Sequence, residues 1–494
     1  MSKETDRIGE VFRNKTVFIS GGTGFLGKLL IEKLLRVTKV KKLYLLVRQK
    51  KGKSSFERLN DIFNHVIFSK LKSENPDSVK KCQIIVGDVI QENLGISEGD
   101  RELLQNEVNF IFHSAATTRF DDTLKDAVIM NTRGTKYMLD LAKGCKHLEL
   151  FIHVSTAYAF PHEKILYEKP YPPPANPNEV LNGLSWISDD ALEGFSKKIL
   201  GNCPNTYTFS KALAEDLVNQ EVGKMPVIII RPAVVIPTLD DPIPGFFNNL
   251  TSPMGIFIGA GKGVIRTMYL DSKSFANLVP ADSTINGTLI SIWDYLTTKK
   301  QYVFNLCVPL EDIKLNWEEI VELGKDVIYN RIPFNGILWY PGGSMTKSKA
   351  WHYFNFVLFQ IIPAFFIDGL LLCLGYPPVL LKVNNRLHKG QEMFEYYTTR
   401  AWYFKTDYLV HMRKKLNSTE KKLYKVDAEG LVIKDYLEKC MLYARRHMFK
   451  ETDDMIPTAK RNMKILFVVD RIIKIAFFAL VFSYLYKLIF GTKV

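Results

Sequence analysis

The chain has 494 residues, 47% of them apolar, and a formal net charge of +14. That length exceeds what one hydrophobic core usually sustains, so a large domain and at least one further unit are expected, and the composition excludes large-scale disorder. The positive charge suits an anionic membrane surface or a phosphate-rich ligand; with no zinc-finger spacing and no RNA-binding signature, nucleic acid is not an expected partner.

The start, MSKETDRIGEVFRNK, is polar and lacks the apolar stretch of a secretory signal, so catalysis is expected to face the cytosol. Residues 16–20 (TVFIS) read as a strand that stops at glycines, and residues 28–37 resume with apolar side chains at helical spacing. Between them lies Gly21-Gly22-Thr23-Gly24-Phe25-Leu26-Gly27. In such a GxxGxxG turn the first glycine bends the chain, the second admits a pyrophosphate close to the backbone, and the third lets helix and strand pack. Phosphates would meet free N–H groups at the helix start, which makes Gly21, Thr23, Gly24, Phe25, Leu26 and Gly27 candidate cofactor residues.

A second strand, 43–47, ends at Arg48, with Lys50, Lys51 and Lys53 close behind. An acidic residue there would hold an adenosine ribose; a basic one suits a 2′-phosphate and indicates NADPH. After a third strand, 83–86, comes Gly87-Asp88-Val89, where Asp88 can accept from an adenine amine and Val89 lies alongside. A fourth, 108–112, leads to His113-Ser114-Ala115-Ala116; the small side chains of Ser114, Ala115 and Ala116 would let a cofactor lie flat, and His113 reads as structural. The region 123–143 is expected to be helical.

The fifth strand, 150–154, runs into Ser155-Thr156-Ala157-Tyr158. A hydroxyl at that depth polarises a substrate carbonyl; Thr156 is the first choice and Ser155 the second, and Tyr158 reads as packing or pocket wall. A helix over 206–222 carries Tyr207 and Lys211, a YxxxK pair on one helix face about 180 residues beyond the glycine turn. Hydride delivery to a carbonyl carbon leaves an oxygen that needs a proton; a tyrosine supplies it, and a lysine ammonium stabilises the phenolate and can hold the nicotinamide ribose. The sixth strand, 227–230, ends at Arg231-Pro232, whose proline helps the chain turn over the nicotinamide. Cys203 near Tyr207 reads as incidental, and no metal-ligand spacing or GxSxG context is present. Strands alternating with helices imply a parallel sheet covered on both faces.

Further on, 237–263 reads as an irregular segment folded over a site and 313–330 as a helix. Residues 353–375 are long enough to cross a bilayer, but Gln360, Pro363 and Asp368 interrupt them, so a buried hairpin, a membrane-dipping segment and a span stay open. A mainly helical domain is expected over 384–455. Residues 465–490 would rise about 39 Å as a helix and read as a C-terminal anchor, with an amphipathic surface helix as the alternative because Asp470, Arg471 and Lys474 shorten the apolar centre. Arg461, Lys464, Arg471 and Lys474 precede its apolar centre, against Lys487 and Lys493 after it, which leaves the bulk of the chain cytosolic. The six cysteines, far apart and without CxxC, indicate a reducing compartment.

Taken together, TVFISGGTGFLGKLLIEKLL, LYLLVRQKKG, VGDV, FHSAATTRFDDTLKDAVIMNTRGT, FIHVSTAYAF, YTFSKALAE and IIIRPAVV resemble the alcohol-forming fatty acyl-CoA reductases of the extended short-chain dehydrogenase group, insect members included. PGFFNNLTSPMGIFIGAGKGVIRTMY, LVPADSTIN, LWYPGG and IPAFFIDG extend the resemblance over nearly the whole chain. It implies a Rossmann-type doubly wound sheet, a helical C-terminal domain and a C-terminal membrane segment. The corresponding division is 1–300 for the NADPH-binding catalytic domain, 301–352 connecting, 353–460 for the helical domain and 461–494 for the anchor. By the same resemblance Gly21, Gly24 and Gly27 hold the pyrophosphate, Arg48 the 2′-phosphate, and Tyr207 with Lys211 the chemistry. The implied reaction takes a long-chain fatty acyl-CoA through an aldehyde to the alcohol with two NADPH, on an endoplasmic reticulum or peroxisomal membrane, with contact to membrane lipid and self-association left open. Ala159-Phe160 after STAY and Ala233 after Arg-Pro depart from the family pattern and bear on chain preference. A dehydrogenase of a sterol or other free carbonyl would use the same Tyr/Lys pair, a two-electron reductase would release the aldehyde, and a silent membrane scaffold would show no NADPH turnover.

Overall fold

The computed structural model describes residues 4–49, 52–250, 253–308 and 315–490. Seven strands form one parallel sheet: β1 (Thr16–Ser20), β2 (Lys42–Val47), β3 (Cys82–Val86), β4 (Phe110–His113), β5 (Leu150–Val154), β6 (Val227–Pro232) and β7 (Val303–Leu306). Their spatial order is β7-β6-β5-β4-β1-β2-β3, with every neighbouring pair parallel. The chain therefore winds outward in one direction from β1 to β3 and in the other from β4 to β7. Where it reverses, between β1 and β4, the strand ends leave a crevice of the kind that holds a dinucleotide.

Both faces of the sheet must be covered, because its strands are apolar on both sides. All five residues of β1 are buried. On one face Phe18, Tyr44, Ile111 and Phe151 form a core with Met138, Leu139 and Leu217 from the crossover helices. Helix α1 (Phe25–Val37) follows β1, and α2 (Ser55–Phe63) follows β2 with a capping box at Ser54 and Glu57. Helix α3 runs from Leu124–Ala127 through a π-helical turn, Val128–Arg133, into Gly134–Lys143. Helix α4 (Thr206–Asn219) is capped by the Asn205 side chain, and α5 (Ala281–Thr298) precedes β7.

The chain divides into two compact units: Met1–Asn248 with Asn277–Lys314 and Trp402–Gly430, and Asn249–Ala276 with Leu315–Ala401 and Leu431–Val494. This differs from the linear division expected at residues 300, 352 and 460. Residues 402–430 join the sheet-bearing unit because Tyr403–Phe404 pairs with Ile165–Leu166 and Glu420 holds the Arg7 side chain at 2.7 Å. Residues 249–276 leave it: Thr267–Tyr269 pairs with Ser344–Thr346 in the second unit. The segment expected to be irregular, 237–263, contains a helix, Pro253–Gly261, whose Met254 and Ile258 are both buried one turn apart. The helix expected from 313 is Trp317–Asp326, continued by a π-turn; residues 313 and 314 lie outside the described residues.

In the second unit a helix α6 (Lys349–Cys373), long and apolar enough to cross a membrane, turns at Gly375 into α7 (Leu380–Thr398). The polar residues that interrupt its apolar run point inward. Gln360 accepts from the backbone N–H groups of Arg266 and Thr267, and Asp368 accepts from those of Val379, Leu380 and Leu381 at 2.9 Å, capping α7. A last helix, α8 (Ile456–Phe490), is continuous over 35 residues, and Lys493 beyond it lies outside the described residues. Replacing Asp368 with Ala removes three acceptor contacts at once. The loss is expected to be at least the ~1–2 kcal/mol of an N-cap, read as a lowered midpoint in urea denaturation.

Candidate active site

The turn after β1 is shaped by steric necessity. Gly21 has φ +76°, and a Cβ there would meet Ser114 and Ala115 within 2.8 Å. A Cβ on Gly27 would lie 2.2 Å from the Gly21 carbonyl oxygen, so only glycine lets α1 start this close to β1. Gly24 is the N-cap of α1 with no side chain to bond the first N–H groups. Those donors, from Phe25, Leu26 and Gly27, are the feature an anion at a helix start requires. Thr23 is exposed beside them. Ser114 donates to the Ser20 carbonyl at 2.8 Å, which holds the Ser114-Ala115-Ala116 segment across the end of β1. His113 is buried, with Nδ1 on Ser20 Oγ at 2.8 Å and Nε2 on Thr135 Oγ1 at 3.0 Å, a structural histidine as expected. These residues fit a dinucleotide.

At the end of β2, Arg48 is exposed and lies 3.9 Å from the Asp88 carboxylate. Arg58, which the sequence reading missed, donates to the Arg48 carbonyl at 2.9 Å and brings a second guanidinium to the same place. Its position one turn into a capped helix after the basic run was the available signal. Lys53 is paired with Asp61, while Lys50 and Lys51 lie outside the described residues. Asp88 also accepts from the Ile90 N–H at 3.2 Å. Val89 belongs to the core, its side chain packed under Gly134, so only its backbone can meet a cofactor.

Around α4 the structure brings Tyr207, Lys211 and Thr156 together. The Thr156 oxygen accepts from the Tyr158 N–H at 3.2 Å, and its hydroxyl lies close enough to Tyr207 to favour the phenolate. Burial pushes the Tyr207 phenol up to about 12, and the nearby Thr156 hydroxyl works in the opposite direction. Lys211 is 4% exposed and donates to the Val154 carbonyl at 2.7 Å. Burial pulls its ammonium down to about 8, opposed by the Glu215 carboxylate one turn further on. The Phe120 ring stacks on Tyr207 with centroids 5.5 Å apart. The α3 π-turn steadies this region: Asn131 bonds both the N–H and the carbonyl of Thr117 and donates to Ser210 Oγ at 2.9 Å.

Two expected site residues are engaged elsewhere. Ser155 donates to Glu215 Oε2 at 2.7 Å and so faces away from Tyr207. Arg231 is 0% exposed; its guanidinium is ion-paired to Glu215, donates to the Tyr167 carbonyl and lies over the Phe160 and Tyr171 rings. A buried cation takes the nearest buried anion, so the Arg231 side chain is not part of a cofactor surface. Pro232 closes β6 beside β7. Glu215 was missed although its spacing from Lys211 repeats that of Lys211 from Tyr207. Tyr158 packs on Trp402 and Phe404, as its reading as a packing residue implied. Cys203 sits in a small apolar cluster with Leu192 and Phe209, and burial pushes its thiol up to about 11, which disfavours a thiolate.

Residues 19–288 match the nucleotide-binding domain of the male sterility protein family, and residues 359–451 match a second domain of the same description. Fatty acyl-CoA reductase 1 of Mus musculus is 35% identical over 92% of this chain and 89% of its own length. The chain belongs to the fatty acyl-CoA reductase family. Fatty acyl-CoA reductase wat of Drosophila melanogaster is 33% identical over 99% of this reductase and 94% of its own length. Among solved structures, the terminal R domain of the myxalamid PKS-NRPS pathway aligns with TM-score 0.60 at 18% identity, covering 89% of this chain and 92% of that one. The reductase domain of a nonribosomal peptide synthetase from Mycobacterium tuberculosis gives TM-score 0.53 at 16% identity, over 87% and 97%. At such identities these likenesses support the fold alone. This reductase is thus an oxidoreductase with a nicotinamide-nucleotide-binding domain of Rossmann type.

The sign of its pH dependence follows from Lys211. An ammonium pulled down to about 8 is charged below that pH and neutral above it. The kcat/KM for cofactor, which reports the free enzyme, is expected to fall as pH rises through about 8. Lys211→Arg, which stays charged, is expected to move that limb upward; an unmoved limb would assign it to another group.

Proposed function

We propose that this reductase converts long-chain fatty acyl-CoA to the primary fatty alcohol with NADPH, through an aldehyde that stays in the site. The observation that carries the reading is Tyr207 beside the Thr156 hydroxyl, with the buried Lys211 one turn along, in a chain whose curated relatives are named fatty acyl-CoA reductases. The N–H groups at the start of α1 would hold the pyrophosphate, the Ser114–Ala116 segment the adenosine side, and Arg48 with Arg58 the 2′-phosphate. When bound, the cofactor supplies hydride.

The protein's own groups do the rest. Thr156 and Tyr207 donate hydrogen bonds to the thioester oxygen and stabilise the charge that grows on it. Collapse of that oxyanion expels CoA thiolate and leaves the aldehyde. In the second round Tyr207 gives its proton to the alkoxide, and the Lys211 ammonium favours the resulting phenolate. The net charge of +14 favours capture of a polyanionic CoA ester. Helix α8, whose apolar side chains from Ile465 to Phe490 are largely exposed, would anchor the chain to an endoplasmic reticulum or peroxisomal membrane with the nucleotide-binding unit in the cytosol.

Detergent-solubilised protein given a long-chain acyl-CoA and NADPH is expected to yield alcohol, with two NADPH oxidised for each CoA released. Accumulated aldehyde at one NADPH per CoA would make it a two-electron reductase, and intact thioester would sink the proposal. Arg48→Ala is expected to raise the KM for NADPH on the order of tenfold, equal to about 1.4 kcal/mol of lost binding, and to leave NADH nearly unaffected. Equal effects on both cofactors would remove Arg48 from the 2′-phosphate.

A further inference from the structure

Helix α6 is built inside out. Its polar side chains face the protein: His352, Asn355, Gln360 (4% exposed) and Asp368 (3% exposed) are all buried. Its large apolar side chains face outward, among them Trp351, Phe354, Phe365 (65% exposed), Phe366 (69%) and Leu370 (61%). A water-facing helix of a globular protein shows the reverse arrangement. The outward face continues around the turn through Leu374, Tyr376 and Val379.

Length alone would let α6 cross a bilayer, but its partner helix forbids it. Helix α7 packs antiparallel along α6, from Lys349 with Glu395 (2.9 Å) through Phe356 with His388 (4.3 Å between rings) and Gln360 with Asn384 (3.3 Å) to the Asp368 cap. Carrying α6 through the hydrocarbon would carry Lys382, Arg386, Lys389 and Glu392 with it, at a cost of about 2.5–3.5 kcal/mol for each charge placed near the centre. Lys382, Arg386 and Lys389 are exposed and recur at spacings of four and three, which makes a cationic stripe along the same hairpin. An exposed apolar helix paired with one that carries such a stripe on its far side is complementary to the boundary between acyl chains and anionic phospholipid headgroups.

We infer that the α6–α7 hairpin is a membrane-docking element that lies in one leaflet without crossing it, its α6 face among acyl chains and its α7 lysines and arginine at anionic headgroups. This is a second membrane contact beside α8 and does not depend on the reaction proposed above. It explains together why a helix long and apolar enough to cross a membrane carries buried polar residues on one side and exposed aromatics on the other.

The test uses the full chain bound to vesicles of phosphatidylcholine and phosphatidylserine, with single environment-sensitive fluorophores at Phe366→Cys, Leu370→Cys and, in α8, Leu480→Cys, all in a Cys373→Ser background. Retained cofactor binding certifies each variant as folded, and residue 370 repeats the reading of residue 366 on the same face. The expected result is a blue shift on vesicle binding and loss of emission at 366 and 370 when the lipids carry a nitroxide near the headgroup end of the acyl chain. Quenching at 480 without quenching at 366 or 370 would leave α8 as the sole contact and overturn the proposal. Energy transfer between labels at 366 on two copies, with no quenching by lipid, would overturn it in favour of a contact between chains. Loss of quenching at all three positions would overturn both this element and the α8 anchor, while fatty alcohol production, assayed separately, would leave the reaction standing.

Discussion

The arrangement around Tyr207 and Lys211 depends on one ion pair that water never reaches. Arg231 at the end of β6 and Glu215 on α4 are both buried, and each is the other's main compensation for lost hydration. Ser155, just past β5, donates a hydrogen bond to the same carboxylate. Two adjacent strand ends and the helix that bears the Tyr/Lys pair are therefore tied to one another by charge-assisted bonds in a medium where such bonds are strong. Lys211 takes its place within this frame: it donates to the Val154 carbonyl on β5 and has the Glu215 charge one turn away. The buried Lys211 ammonium thus has beside it a carboxylate that favours its charged form against the cost of burial.

The nucleotide-binding half was legible because its constraints are local. The strand over 16–20 and the one over 150–154 occur over the same residues in the structure, since a short apolar run between turn signals has few other ways to fold. The glycine turn was readable for the same reason: its geometry leaves no room for a Cβ at positions 21 and 27. Ser155 and Arg231 were read differently from what the structure contains because their roles are settled by partners 60 and 16 residues away. A linear pattern records that a hydroxyl follows a strand, but not which way it faces once a buried carboxylate competes for it.

The same distinction applies to the second unit. Counting apolar residues over 353–375 identified a segment that could enter lipid, and counting Gln360, Pro363 and Asp368 suggested that something interrupted it. Neither count carries direction. In three dimensions the polar groups Gln360 and Asp368 line the inner side of the helix and take backbone N–H groups as donors, so they are satisfied and leave large apolar side chains on the outer side. Division of the chain at fixed residue numbers missed in a related way, because pairing between distant short strands assigns segments to a unit irrespective of their order.

That interleaving has a consequence for how the protein is made. The sheet-bearing unit draws Tyr403–Phe404 to the edge of Ile165–Leu166, and the Glu420 side chain to Arg7 near the start of the chain. A ribosome delivering the chain from its N-terminus would release all seven strands of the sheet more than a hundred residues before Glu420 emerges. During that interval the nascent nucleotide-binding unit would hold unfilled surface and an unpaired strand edge, the conditions under which chains seek chaperones or one another. Completion of the catalytic unit is thus a late event of synthesis, set by a stretch of sequence that belongs, by position alone, to the other half of the molecule.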